Sequence, residues 1–147
     1  MIVTLDTGIL VRATARSNGP ARRVVDILTR DDHHTLALSR FIISEVGKAL
    51  CYPRLFDAYR LTPEMVQDHL SFILAACELV EPASGPPVVL TDPKDDPVFY
   101  TALGAGADVL CTKDRGFFAP NVLAAASRHD LAIMDDLQLL SLLEQSH

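Results

Sequence analysis

TDPKDDPVFYTALGAGADVLCTKD, residues 91–114, carries the organisation of the chain in miniature. An Asp/Pro-rich opening leads to Pro97, whose fixed φ suits a first helical turn, so a helix is predicted from Pro97 to Gly104. Asp108–Cys111 is then a short apolar run bounded by a glycine and by polar residues, the signature of a buried strand. Two residues later, after Thr112 and Lys113, stands Asp114. Working towards the N-terminus, the same grammar repeats. Ile2–Leu5 is a β-branched apolar strand that stops at Asp6-Thr7-Gly8, and Ile9, Leu10 and Ala13 resume at helical spacing. A helix follows Asn18-Gly19-Pro20 with Val24, Val25 and Leu28 on one face, and Thr35–Leu38 is a second strand. Ser39 is an N-cap for a helix carrying Phe41, Ile42, Val46 and Leu50, and Thr62-Pro63-Glu64 opens another that runs into a strand near Leu79-Val80. Towards the C-terminus, Leu131–Met134 is the last strand and a helix extends to Glu144. Short apolar strands separated by helices imply a parallel sheet covered on both faces. The expectation is an α/β fold, a three-layer α/β/α sandwich around a central parallel sheet of about five strands.

The 147 residues suit one domain able to bury its own core, and 49% hydrophobic with 22% charged residues excludes wholesale disorder. No run of 18 apolar residues exists, which argues against a membrane span. The first residues, MIVTLDTGIL, lack the basic start of a secretory signal. Cys51, Cys77 and Cys111 are odd in number, sit in apolar contexts and lack zinc-site spacing, so they read as reduced, buried small residues of a cytoplasmic protein. Thirteen basic against nineteen acidic residues give a formal charge of −6, which at first argues against a nucleic-acid partner. The distribution changes that reading. Residues 1–60 hold nine basic and six acidic side chains (+3), and residues 61–147 hold four and thirteen (−9). A lopsided chain can carry a basic surface and an acidic site together.

The acids fall where open α/β sheets gather their chemistry, beyond the carboxyl ends of the strands. Asp6 follows the first strand, Asp114 follows the strand Val-Leu-Cys, and Asp96 stands just before Pro97. Glu45 lies on the helix after strand two, at the border of its apolar face. Taken singly each has an ordinary explanation: Asp96 as a helix cap, Asp6 and Asp114 as turn caps, Glu45 as a solvated helix residue. Taken jointly they are a liability, because two carboxylates about 6 Å apart repel by roughly 3 kcal/mol at an effective dielectric near 20. Protons or a cation must neutralise such a cluster, and an all-carboxylate set without His or Cys suits Mg²⁺ or Mn²⁺ better than zinc. Asp6-Thr7-Gly8 also spells the aspartic-protease motif, but those enzymes are all-β and carry it twice. A phosphate-accepting receiver domain needs an Asp at the end of a middle strand, where this chain has Leu38-Ser39 and Val80-Glu81.

Four blocks in order, VTLDTGILVRA at 3–13, ALSRFIISEVGKAL at 37–50, the 91–114 segment, and the closing LAIMDDLQLLSLLE, resemble the PIN-domain ribonucleases across essentially the whole chain. Within that family they are most similar to the toxin branch related to the VapC-type toxins of bacterial toxin–antitoxin pairs. The resemblance matches the family acids to Asp6, Glu45, Asp96 and Asp114 as catalytic and metal-binding residues, with Thr112 as a supporting hydroxyl. Asp95 and Asp92 are the alternatives for the third acid, and Asp96 is preferred on its spacing to Phe99 and Ala102. Where the family has Asn two positions after the first Asp, this chain has Gly8. The implied activity is Mg²⁺- or Mn²⁺-dependent hydrolysis of RNA. Arg12, Arg16 and Lys113 would meet the substrate, drawn from a basic set that also includes Arg22, Arg23 and Arg40. The implied partners are RNA, a cognate antitoxin and a second copy of the chain, with no membrane. Five leucines of the last helix, Leu137, Leu139, Leu140, Leu142 and Leu143, exceed one face; burial in the core is the first expectation for them and a partner surface the second. Gly8 motivates the alternative of a catalytically degenerate scaffold that binds RNA or protein or mediates oligomerisation.

Overall fold

The computed structural model describes residues 1–14 and 19–145, so the expectation for Arg16 lies outside the described residues. Strand β1 (Ile2–Leu5) is followed by α1 (Thr7–Arg12) and α2 (Pro20–Arg30), then β2 (Thr35–Leu38). Helices α3 (Arg40–Leu50), α4 (Pro53–Ala58) and α5 (Pro63–Ala76) lead to β3 (Glu78–Leu79). The second half is α6 (Asp96–Ala105), β4 (Val109–Cys111), α7 (Pro120–Ser127), β5 (Ala132–Met134) and α8 (Asp136–Gln145). The five strands form one sheet in the order β3-β2-β1-β4-β5, and every neighbouring pair is parallel. This is the expected α/β sandwich.

Local chemistry accounts for the element ends. Ser39 accepts from the Ile42 N–H at 3.5 Å, and Thr62 from Met65 at 3.2 Å, so both predicted caps close their helices. Asp135 and Gln138 exchange backbone–side-chain bonds at 2.8 and 2.9 Å, a reciprocal cap at the start of α8. Helix α6 ends at Gly106, whose φ of 62° is the left-handed conformation that glycine enters without a Cβ penalty. The core is built from the strand residues Val3, Leu5, Leu36, Leu38 and Leu110 and from helix residues such as Ile42, Val46 and Phe99, all nearly inaccessible to solvent. Phe117 joins it.

Three details differ from the sequence reading. Helix α4 has no buried residue and only six positions, too few to show a periodic apolar stripe. Strand β3 begins one residue earlier than expected, although the Val80 N–H still bonds Leu38 O at 2.8 Å. Of the three cysteines expected to be buried, only Cys111 is: Cys77 is half-buried and Cys51 is exposed just after α3. The α8 leucines follow the sequence reading, with Leu139, Leu140 and Leu143 in the core and only Leu137 and Leu142 facing outward.

The strand order has a functional consequence. From β1 the chain steps outward to β2 and β3, then returns to place β4 on the other side of β1. The connections therefore diverge at the carboxyl ends of β1 and β4, opening a crevice there. Asp6 and Asp114 sit at those two ends.

Candidate active site

A cavity of about 640 Å³ opens at the divergence of β1 and β4. Asp6 enters it directly from β1, and its N–H is fastened to Cys111 O of β4 at 2.9 Å. One carboxylate oxygen caps α1 through the Thr7 N–H at 2.7 Å, and the other accepts from Thr112 Oγ1 at 2.7 Å. Thr112 is fully buried, and its hydroxyl oxygen also accepts from the Asp114 N–H at 3.0 Å. One threonine thus ties the end of β1 to the turn that carries Asp114. That turn is closed by Asp114 Oδ1, which accepts from the Gly116 N–H at 2.9 Å. Burial raises the pKa of Asp6 and the nearby charge of Asp114 adds to the effect, while the bonds from Thr112 and Thr7 oppose it.

Of the three acids in the 92–96 segment, Asp92 and Asp95 line the cavity and Asp96 does not. Asp96 lines a separate hollow beside Tyr100, where its Oδ1 accepts from the N–H groups of Val88 at 3.1 Å and Val89 at 2.8 Å. The preference for Asp96 is thereby corrected. As the first residue of α6 it turns back to satisfy a loop whose amides have no strand to pair with. Asp95, one residue earlier, closes a short 3-10 turn (Pro93–Asp95) and points the other way. Its Oδ2 is buried and has no hydrogen-bond partner among the described residues. Burial, the adjoining Asp114 carboxyl and the charges of Asp6 and Asp92 push its pKa up to about 7.

Glu45 also lines the cavity, from α3, where it pairs with Lys48 at 3.4 Å. The structure therefore brings Asp6, Asp95, Asp114 and Glu45 together, with Asp92 also on the cavity wall, and leaves Asp96 outside. The donor set is all oxygen, and a buried carboxylate oxygen without a partner is the feature expected where a hard cation belongs. Among the described residues no three His, Cys, Asp or Glu side chains already converge as a ready-made ligand set, so closing on an ion requires side-chain rotation.

Cations line the same cavity. Arg12 and Lys113 do so as expected, and Lys94 was missed because it sits inside an acidic segment that reads only as a ligand source. Arg22 and Arg23 are instead used structurally. Arg22 bonds Ala13 O at 3.1 Å and pairs with Asp26 at 3.3 Å, and Arg23 pairs with Glu144 of α8.

A family model described as the PIN domain matches residues 2–116, a span that includes all the acids of the cavity. The chain belongs to the PIN domain family. A chain of the crystal structure of VapBC2 from Rickettsia felis, bound to a DNA fragment from their promoter, shares the PIN fold described here. Its TM-score is 0.58 at 17% sequence identity, over 92% of this chain and 98% of that one. No match is found among curated proteins. The departure of this PIN domain at Gly8 is open in space: a Cβ there would meet no atom within 4 Å, so the cavity wall has room for a side chain it does not carry. Among the described residues no helix is long and apolar enough to cross a membrane.

Proposed function

We propose that this PIN domain is a divalent-metal-dependent ribonuclease that hydrolyses RNA phosphodiester bonds, acting in the cytoplasm as the toxin of a toxin–antitoxin pair. One observation carries the reading: Asp6, Asp95 and Asp114 share the crevice at the strand divergence, and one buried oxygen of Asp95 has no hydrogen-bond partner among the described residues. Asp6, Asp95 and Asp114 would hold Mg²⁺ or Mn²⁺, with Glu45 reaching in from α3. Such an ion supplies Lewis acidity at the phosphate and a water of lowered pKa. The protein's own groups do the rest. Arg12, Lys94 and Lys113 bind backbone phosphates around the acids, as point charges or, for Arg12, through a planar fork. Thr112 aims Asp6 and opposes the burial that raises its pKa, because its hydroxyl donates to the charged form. Hydrolysis then joins a water oxygen to phosphorus and breaks one P–O ester bond, and the leaving oxygen takes up a proton. The open wall at Gly8 favours one second reading, a scaffold that binds RNA or protein without cutting.

A single pair of measurements separates the two. Mn²⁺ or Mg²⁺ should raise the melting temperature and support cleavage of single-stranded RNA. Asp6→Asn and Asp114→Asn should abolish cleavage while leaving the fold intact. Cleavage that persists in both variants sinks the site assignment, and absence of any metal-induced stabilisation favours the scaffold. An antitoxin partner and a homodimer are separate proposals, tested by co-purification with the neighbouring gene product and by light scattering.

A further inference from the structure

A second cavity, of about 300 Å³, adjoins the acid cavity and shares two walls with it, Arg12 and Lys113. Its remaining surface is of another kind. Tyr59, half-buried after α4, lines it together with Pro20 and Leu137, the latter 59% exposed. The floor holds Asp136, only 3% exposed, whose Oδ1 accepts from the Leu137 N–H at 3.0 Å and lies 4.0 Å from Lys113 Nζ. A buried carboxylate so placed anchors the lysine ammonium on the partition between the two cavities. An aromatic ring with apolar neighbours, bordered by two cations, matches a nucleotide: a flat base with a π-face, joined to a phosphate. The volume lies at the lower end of small-ligand pockets, room for one nucleoside unit.

We propose that this cavity is a nucleotide subsite. It receives the unpaired base next to the scissile phosphate and stacks it on Tyr59, while Arg12 and Lys113 hold the phosphate between the two cavities and Asp136 acts as a positioning residue for Lys113. The proposal rests on the nuclease reading for its substrate class, single-stranded RNA, and adds to it a base-stacking position beside the scissile phosphate.

The test uses fluorescein-labelled hexaribonucleotides carrying one abasic residue, moved through each position in turn. Binding is followed by fluorescence anisotropy with Ca²⁺ present, and cleavage is followed in parallel with Mg²⁺. In the wild-type protein, loss of one particular base should weaken binding about tenfold, the scale of one base–aromatic stack. Tyr59→Leu, which keeps apolar volume for folding, should bind the intact RNA about tenfold more weakly and lose that positional penalty, and Tyr59→Phe should retain it. Asp136→Asn should weaken binding of every hexamer and leave the penalty in place. No positional penalty in the wild type, or one that survives in Tyr59→Leu, overturns the subsite even if the RNA is cut. A Tyr59-dependent penalty in binding without any cleavage leaves the subsite standing and overturns the nuclease reading.

Discussion

Asp95 and Asp96 are adjacent carboxylates with opposite jobs, so their substitutions should move stability in opposite directions. Asp95 has its pKa raised from 3.8 to about 7, first because burial desolvates it and then because Asp114 and Asp6 crowd it. A shift of that size corresponds to roughly 4 kcal/mol for a fully buried group. Asp95 is only half-buried, and solvent screening reduces the useful figure to about 1–2 kcal/mol. Asp95→Asn removes the charge and presents an amide donor to the neighbouring carboxylates. In a protein of this size it should therefore raise the metal-free melting temperature at pH 8 by about 3–8 °C. The sign follows from linkage: the folded-state pKa lies above the unfolded one, so the native state holds the extra proton between those values. Stability accordingly falls as pH rises through that window, and the gain from Asp95→Asn should shrink steadily as pH is lowered toward 4.

Asp96→Ala deletes the acceptor for two N–H groups at 3.1 and 2.8 Å, one of them on the fully buried Val89. The expected loss is about 2–4 kcal/mol, because each orphaned donor carries its own desolvation cost. Asp96→Asn retains an acceptor oxygen and should be close to neutral. Differential scanning fluorimetry with and without Mn²⁺ reads both effects at once. Asp95→Asn should melt higher than wild type without metal yet gain little from Mn²⁺. Asp96→Asn should behave as wild type in both. Loss of the Mn²⁺ response in Asp96→Asn, with a normal response in Asp95→Asn, would refute the placement of the third acid.

Four further outcomes are expected. Thr112→Val should cost about 1.5–3 kcal/mol, because a buried carboxylate loses a hydroxyl donor, whereas Thr112→Ser should recover most of it; chemical denaturation measures both. Gly8→Ala should stabilise α1 by up to about 1 kcal/mol, since the added methyl meets no atom; a drop in melting temperature would show that the position is not open. The Mn²⁺ concentration that half-saturates the thermal shift should fall as pH rises from 6 to 8, because the ion competes with the proton on Asp95, and a pH-independent midpoint would remove Asp95 from the ligand set. Arg12→Ala should weaken RNA binding and reduce the slope of log Kd against log salt by about 0.7, the single-strand value for one phosphate contact.

The sheet was legible because its strands are short, apolar and punctuated by Asp, Gly and Pro, and because Ser39 and Thr62 announce their helices by chemistry that acts within three residues. Asp6 and Asp114 were legible for the same reason: each follows a strand that can be read locally. The third acid was not. Asp95 and Asp96 have the same side chain, and only the path of residues 86–89 decides which one turns towards the crevice, since that loop takes Asp96 as its acceptor. Such a contact joins segments without any mutual periodicity, so no pattern records it. Lys94 was missed on similar grounds. Flanked by Asp92, Asp95 and Asp96, it reads as a counter-charge in an acidic run, and its position on the cavity wall depends on the 3-10 turn before α6.

Arg12, Lys94 and Lys113 line the same cavity as the carboxylates, yet among the described residues none forms an ion pair with Asp6, Asp95 or Asp114. Simple electrostatics would let them collapse onto one another, which would relieve the repulsion that raises Asp95. Lys113 is instead held 4.0 Å from the buried Asp136, on the far side of the partition. The acids therefore stay under-compensated and the cations stay available, a combination that costs stability in the metal-free protein and that the proposed function accounts for, with a cation neutralising the acids and a substrate phosphate meeting the bases. A collapsed pocket would be more stable and unable to accept either. The chain's formal charge of −6 counts every one of these crevice carboxylates as ionised, and the cation of the proposed function would offset part of it.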